Sequence, residues 1–461
     1  MSARKRSLRL SSLEKSSKAV DLSSSSKRSK TENYSDNFLS SLPHAVVAQL
    51  FPLLTSDDLR RIALTCRGAL DRVEWFLSSD KALLSALDIR LVSRFEKDPD
   101  AKERVVTFPC HHHLTERFKR LGRCFKVVTA VKTQREKIRT IKAAIDKCDA
   151  VHEVVCDIRG RQIAYECFGI LFHSYCHGWD TKSKTRVFDV VIVKAKLVET
   201  ALQIVSQPPG TSQWNESNFR DLIVHGILPS LHSDLDEYGF WLWLLLKSWP
   251  IVNQAHLLYI ISGPVDGALG FVRWLTFPLQ ESVEDSDLKP LALSLKALQR
   301  QSTVTSDDFI SLFDELTAFP QEWCFSIVAR LLLLSGKRVA ETVLMCRALN
   351  SRLDELGSWL WNIIQVICMA PRDKARELWR KKKLHWLVSF LKHMSVTSPL
   401  LHSSCNRSRL CQMISSDWFY YLADGGSDVG SDSDSDGPLL EDVGKLRFFA
   451  QELLEVAITP D

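Results

Sequence analysis

Apolar residues recur at intervals of three or four positions along most of the chain, which is the period of an amphipathic helix. The pattern is most regular from about residue 214 to residue 422. It predicts helices over 217–232, 235–249, 252–262, 265–278, 287–300, 306–319, 321–335, 337–350, 353–369, 373–394 and 407–422. Helices at this spacing are typical of stacked pairs of roughly 30–45 residues, as in a degenerate α-solenoid. We therefore expect an all-α protein, and the low counts of glycine (18) and proline (16) agree with that expectation.

A denser helical pattern lies near the start of the chain, in Leu42–Arg67. Pro43 suits the first turn of a helix because it has no N–H to leave unpaired. Thr55–Asp58 is typical of a helix start, since short oxygen side chains accept the unpaired N–H groups there. The apolar positions form two stripes, Val46, Val47, Leu50, Phe51 and Leu54, then Leu59, Ile62, Ala63 and Cys66. A segment this short cannot bury both stripes by itself. We therefore expect it to expose an apolar surface that a partner covers.

The same segment resembles the F-box, whose pattern is L-P-x-E-L-L-x-x-I-F-x-x-L-x-x-x-D-L-x-x-L-A-x-V-C-R-x-W, and it aligns without a gap. Outright matches are Leu42, Pro43, Phe51, Leu54, Asp58, Leu59, Ala63, Cys66 and Arg67. Three positions depart from the pattern: Ala45 for an acid, Thr65 for an aliphatic residue, and Ala69 for an aromatic residue. The resemblance implies contact with a Skp-type adaptor through Leu42, Pro43, Val46, Val47, Leu50, Phe51, Leu54, Leu59, Ile62 and Cys66. An ordinary helical hairpin inside a larger core is the alternative.

Proteins of the F-box family join a Skp adaptor and a cullin scaffold in a RING-type ubiquitin ligase. They hold a protein substrate near the conjugating enzyme and have no active site of their own. The chain shows no WD40 or leucine-rich repeats, so it resembles the F-box only group, in particular a branch associated with germ cells and meiotic prophase. The resemblance thus implies a substrate receptor, with the substrate and its contact residues unknown. A helical interaction scaffold without an adaptor, or a chromatin-associated protein, are the other hypotheses.

Two basic clusters raise the question of an acidic partner. The pattern predicts one helix over 115–147, which carries eleven Lys or Arg residues. A solvated face is the favoured interpretation, because no aromatic residues alternate with the cations as in nucleic-acid binders. The second cluster, Arg376 and Arg380–Lys383, is flanked by Trp379 and Trp386. A solvated face is again the default there, with an import signal or an acidic-partner site as the alternatives.

We divide the chain by composition into a tail, an F-box, a linker, a body and two terminal segments. The ranges are a basic Ser-rich disordered tail (1–36), the F-box (37–80), a helical linker region with the basic helix (81–204), the helical stack (205–423), an acidic disordered insert (424–442) and an amphipathic C-terminal helix (443–461). Within the linker, the β-branched run Val187–Lys196 leaves helix and lone strand both open. The basic tail favours a nucleus and/or cytoplasm location.

The sequence carries no recognisable catalytic or cofactor-binding motif. The chain has no phosphate-binding loop, dinucleotide fingerprint, nucleophile elbow or H-E-x-x-H motif. The clusters Cys110–His113 and Cys167, His173, Cys176 and His177 have ligand residue types, but their spacing is poor for structural zinc. Single scattered cysteines and no secretory signal indicate a reducing compartment. The apolar run Phe240–Trp249 is too short for a membrane span. We therefore expect no catalytic residue, no metal and no cofactor.

Overall fold

The computed structural model describes residues 42–77, 79, 111–143, 158–410 and 412, apart from 232–233, 268–269, 275–276, 280–282 and 369–373. Every element named within these residues is a helix, and extended backbone pairs there only in an isolated antiparallel bridge between Val265 and Val272. The all-α expectation is confirmed. The predicted tail (1–36), acidic insert (424–442) and C-terminal helix (443–461) lie outside the described residues.

Three short helices make up the F-box segment, and the two apolar stripes seen in the sequence lie mainly on the first two. They are α1 (His44–Leu50), α2 (Ser56–Ala63) and α3 (Arg67–Leu77), with a 3-10 turn at Phe51–Leu53 after α1. The linker region contains α4 (His111–Val128), a short helix at 134–143, α5 (Ile158–Cys176), α6 (Thr181–Lys194) and α7 (Leu197–Val205).

The body then continues as a series of helices to the end of the described chain. They are α8 (Gln213–Asp221) with a π-helical turn (Leu222–Ile227), α9 (Leu235–Leu246), α10 (Ile251–Ser262), α11 (Asp285–Gln299), α12 (Ser306–Ala318), α13 (Phe325–Ser335), α14 (Lys337–Leu349), α15 (Leu353–Cys368) and α16 (Lys374–Thr397). A 3-10 turn at Pro399–His402 and a short helix at 404–410 follow.

The body packs in two layers. Helices α9, α11, α13 and α15 lie side by side in one layer, while α10, α12, α14 and α16 follow one another in the second. This alternation is that of a helical-repeat stack, in which each pair buries its apolar faces against the next pair. The degenerate α-solenoid prediction is therefore confirmed.

Side-chain caps explain why several helices begin where they do. Thr55 and Asp58 form a reciprocal capping box at α2, and Thr305 and Asp308 form another at α12. Asp234 accepts the N–H groups of two first-turn residues of α9. Each such cap satisfies donors that a helix leaves unpaired, and its loss typically costs about 1 kcal/mol.

The single helix predicted over 115–147 is wrong, because α4 ends at Val128 and a new helix starts after Thr133. The Thr133 backbone N–H and hydroxyl both donate to the Glu136 carboxylate, at 2.9 and 2.7 Å. The Glu136 N–H in turn donates to the Thr133 hydroxyl at 3.4 Å. This is the capping-box signature T-x-x-E, which the sequence displays and which outweighed the continuous apolar period.

The run Val187–Lys196, left open as helix or strand, lies mostly in α6. Val187, Phe188 and Val191 are buried at helical spacing. The run ends at Lys196, which takes a left-handed conformation with φ of 50°. The run is therefore helical, as its three-and-four-residue apolar period indicates, and its β-branched content does not make it a strand.

The helix predicted over 265–278 is wrong. This stretch is a loop that carries the Val265–Val272 bridge and a 3-10 turn at Phe277–Leu279. Gly270 has φ of +68°, which breaks any continuous helix there. Phe277 is nevertheless fully buried. The apolar period reflected side chains that fill the core from a loop.

Candidate adaptor-docking site

The F-box helices enclose a small core of their own. Val47 of α1 and Phe51 of the following turn are buried, as is Leu59 of α2. Phe51 and Phe76 of α3 meet edge to face, with ring centroids 5.6 Å apart. Edge-to-face contact is a favoured aromatic geometry. The three helices are thus held together by side chains at spacings that the sequence already showed.

The ten residues expected to contact an adaptor divide into three groups. Leu42, Val47, Phe51 and Leu59 are buried within the chain. Val46, Ile62 and Cys66 are half-buried, and Pro43, Leu50 and Leu54 are exposed. The exposed and half-buried residues are available to a partner, whereas the buried four shape the surface from within. Their role as adaptor contacts stays a prediction.

Three further apolar residues of the F-box are exposed and were missed by the motif comparison. Leu53 is 68% exposed and Leu64 is 69% exposed, each at the end of a short helix. Trp75 of α3 is partly exposed and lies against His44, with ring centroids 4.4 Å apart. No sequence signal distinguished them from buried apolar residues of the same helices. Together with Leu50 and Leu54 they add to the apolar surface of the module.

The α4 helix covers one face of the F-box. It packs against α2 and α3 on one side and against α5 on the other. Its buried apolar residues are Leu114, Phe118, Leu121, Cys124, Phe125 and Val128. On its polar side, Arg120 pairs with Asp57 of α2, and Lys132 beyond α4 pairs with Glu74 of α3. The F-box is therefore joined to the body through packed side chains, and two cations of the predicted basic face pair with F-box carboxylates.

Burial sets the pKa values, and hence the protonation, of the ionisable side chains next to this junction. Desolvation raises the pKa of the Cys124 thiol to about 12, so the thiol stays protonated. His173 of α5 has its pKa lowered to about 4 by burial, and its Nε2 lies 2.8 Å from the Ile227 carbonyl oxygen. Burial likewise raises the pKa of Cys176. These groups are packed as neutral core residues, as expected for thiols and imidazoles inside a helical protein.

Of the two clusters weighed as metal ligands, the structure describes the side chains of Cys167, His173, Cys176 and His177, and not those of Cys110–His113. The search for a metal site covers the described residues. Among them, no group of three or more His, Cys, Asp or Glu side chains is placed to hold a metal ion. Cys167 and Cys176 are buried as free thiols. Cys110 lies outside the described residues. Over the same described residues, none of the helices combines the length and apolarity needed to cross a bilayer.

Comparison with known proteins shows which proteins the body is similar to. Residues 194–407 match the family model described as FBXO47, ARM repeats, a range that runs from the end of α6 into the short helix at 404–410. F-box only protein 47 of Homo sapiens is 32% identical over 246 residues, which is 53% of this chain and 54% of the relative. F-box only protein 47 of Mus musculus gives the same identity and coverage. The chain thus spans about half the length of the curated relatives it matches, and no solved structure matches it.

Proposed function

We propose that this chain, whose body matches an ARM-repeat family model and which is similar to F-box only protein 47, is an F-box substrate-recognition subunit of a Skp–cullin–F-box RING ubiquitin ligase. In this proposal the F-box docks the Skp adaptor and, through it, the cullin scaffold. The helical body binds a protein substrate. The subunit does no chemistry itself; it raises the effective concentration of substrate lysines at the ligase.

The exposed apolar surface at the end of α1 is the observation that carries the proposal. Leu50 and Leu53 face solvent although the module already has a closed core around Phe51. Their exposure is therefore not a consequence of poor packing. Contiguous exposed apolar residues on a folded module mark a surface for another protein. The F-box resemblance assigns Leu50 to the adaptor, and Leu53 follows it in the next turn of the chain.

The α4 junction supports the second half of the mechanism, which is positioning. A receptor serves its ligase best when the docking module and the substrate-binding body keep a fixed orientation. Here α4 is packed on both the F-box and α5, and α5 packs on the π-helical turn Leu222–Ile227 of the body. The backbones of α5 and the π-helical turn approach closely at Gly169. A Cβ at this position would lie only 2.3 Å from the His225 carbonyl oxygen.

Co-purification with the Skp adaptor tests the proposal. The full chain is compared with a chain that lacks 37–80 and with the double variant Leu50→Asp, Leu53→Asp. Both substitutions lie at exposed positions, so folding is expected to be retained while carboxylates are placed in the apolar surface. We expect adaptor affinity to fall by roughly 100-fold in the double variant, as for two interface anchors.

The matched control is Val131→Asp with Val396→Asp, which places the same charges at apolar positions that are 87% and 73% exposed outside the F-box. Adaptor binding is expected to be unchanged in this pair. Binding that survives both the deletion and the Leu50, Leu53 variant would overturn the proposal, and the helical scaffold hypothesis would replace it.

We extend the proposal to the cellular setting, namely germ cells in meiosis, with the protein in the nucleus and/or cytoplasm. Its support is the resemblance to F-box only protein 47 and the basic tail at 1–36. Imaging of the tagged chain with and without 1–36 tests the nuclear part. A tail-independent distribution would contradict it.

A further inference from the structure

A convergent basic face lies on the body, formed by side chains from three helices. We define the basic face as Lys296 of α11, Lys337 and Arg338 of α14, and Lys383 of α16. The sequence showed only the α16 part, as a run of cations along one helix. Packing of α14 against both α11 and α16 adds the other residues.

Lys383 is the centre of the face and is held in place by its surroundings. Its Nζ donates to the Leu333 carbonyl oxygen at the end of α13, at 2.8 Å. The same ammonium lies 5.8 Å from the ring centroids of both Trp379 and Trp386. Desolvation lowers its pKa, and the nearby charge of Lys296 lowers it further. The charges of Lys383 and Lys296 therefore repel each other, and a bound anion would reduce this repulsion.

The start of α14 adds to the positive potential. The helix begins at Lys337 after Gly336, with no side-chain cap and no acidic residue in its first turn. The first turns of α2, α9 and α12 all carry acids, which complement the positive end of the helix dipole. The Gln299 side chain of α11 donates to the Arg338 carbonyl oxygen at 2.9 Å, which fixes α11 beside this end.

The carboxylate paired at this face, within the part of the chain that the structure describes, is Glu341. It lies 3.6 Å from Lys337 Nζ and accepts the Trp386 indole N–H at 3.1 Å. It is thus already engaged by two groups, Lys337 and Trp386. The face carries more positive than negative charge.

We propose that the basic face binds an acidic peptide segment of the protein that the body recognises. The assignment of that peptide to a ligase substrate rests on the proposed function. Charge complementarity supports an acidic partner, because opposite potentials steer and orient association. A peptide is favoured over single-stranded nucleic acid because Trp386 is buried and Trp379 half-buried against Lys383, which leaves no exposed ring for base stacking.

The test measures binding of a fluorescein-labelled peptide of ten glutamates to the full chain in complex with the Skp adaptor. The variant Lys296→Glu, Lys337→Glu gives Lys383 an internal carboxylate and places an acid at the first turn of α14, where the dipole favours it. Both changes are therefore compatible with folding. The control Lys247→Glu, Lys392→Glu makes the same change in net charge at exposed lysines elsewhere. Peptide affinity is expected to fall roughly tenfold in the first variant and less than about twofold in the control.

Three results would overturn the proposal. Equal losses in the two variants would mean that net charge alone attracts the peptide. Tighter binding of a ten-nucleotide single-stranded DNA, with the same dependence on Lys296 and Lys337, would assign the face to nucleic acid. Peptide binding only by a chain that lacks 424–442 would assign the face to the chain's own acidic segment. Adaptor binding is measured in the same samples, so loss of peptide binding with the adaptor retained separates this surface from the F-box.

Discussion

The Asp57 carboxylate of α2 and the Arg120 guanidinium of α4 lie 3.5 Å apart across the junction between the F-box and the body. Both side chains are nearly half-exposed, so the pair is worth on the order of 0–1 kcal/mol. The junction depends instead on the apolar face of α4 and on its close contact with α5. That contact is possible because Gly122 has no side chain.

Gly122→Ala is expected to lower stability and to loosen the junction. A Cβ there would lie 2.5 Å from the Leu171 carbonyl oxygen and 2.8 Å from the Ser174 Cβ. Because one of these is a backbone atom, the helices must move apart, at a cost of about 1–3 kcal/mol. Thermal unfolding measures the loss. Gly267→Ala is the control, since no atom lies within 4 Å of its added Cβ. Equal melting temperatures for the two variants would contradict the prediction.

Arg347→Ala is expected to be among the most damaging substitutions in the body. The Arg347 side chain is buried, donates to Asp314 and to Glu355, and its guanidinium carbon lies 4.4 Å from the Trp359 ring centroid. Removing it leaves the partly buried Asp314 and Glu355 carboxylates with only the more exposed Arg352 as a cation. Breaking a buried ion pair in this way typically costs about 3–5 kcal/mol.

The control for this network is Arg352→Ala, which removes a second cation that pairs with the same two carboxylates. Arg352 is 47% exposed, so the expected cost is only about 0–1 kcal/mol. Chemical denaturation of both variants gives the comparison. If Arg352→Ala proved as destabilising as Arg347→Ala, burial would not be the reason for the effect.

His256→Phe is expected to reduce the sensitivity of the fold to acid. Burial against Trp274 and Phe319 lowers the pKa of His256 to about 4. An unfolded histidine titrates near 6.5, so below that pH the unfolded chain binds a proton that the folded chain does not. The stability due to neutral His256 is therefore complete above about pH 6.5 and is lost as the pH falls toward 4.

Urea denaturation at pH 7 and at pH 5 checks this prediction. The difference in unfolding free energy between the two pH values is expected to be smaller in His256→Phe, by about 1–2 kcal/mol, because a pKa unit corresponds to ~1.4 kcal/mol. The exposed His385→Phe serves as control and is expected to leave the difference unchanged. An identical pH dependence in both variants would show that His256 does not resist protonation.

Leu42→Ala and Pro43→Ala are expected to act differently although they are neighbours in the F-box motif. Leu42 is buried, so its truncation is expected to cost about 2 kcal/mol of F-box stability. Pro43 is exposed, so its replacement is expected to spare folding and weaken adaptor binding. Circular dichroism and adaptor affinity are measured on each single variant. Normal adaptor binding by Pro43→Ala would remove Pro43 from the docking surface.

The sequence by itself determined the helices and the F-box. Periodic apolar residues and the capping box at Thr55 and Asp58 are local signals, and the structure obeys them. The same kind of local signal, Thr133 with Glu136, explains the break after α4 that the apolar period concealed. The period also misled at 265–278, because apolar side chains can reach a core from a loop as well as from a helix.

Only the tertiary structure decided which apolar residues face solvent and which charges converge. Val47 and Leu50 belong to one stripe in the sequence, yet Val47 is buried and Leu50 is exposed, because only part of the α1 surface packs against α3 and the rest of the module. Lys296, Lys337 and Lys383 are far apart in the chain and lie on α11, α14 and α16, which pack together through α14. Exposure and charge convergence depend on contacts between distant segments, and no local pattern encodes those contacts.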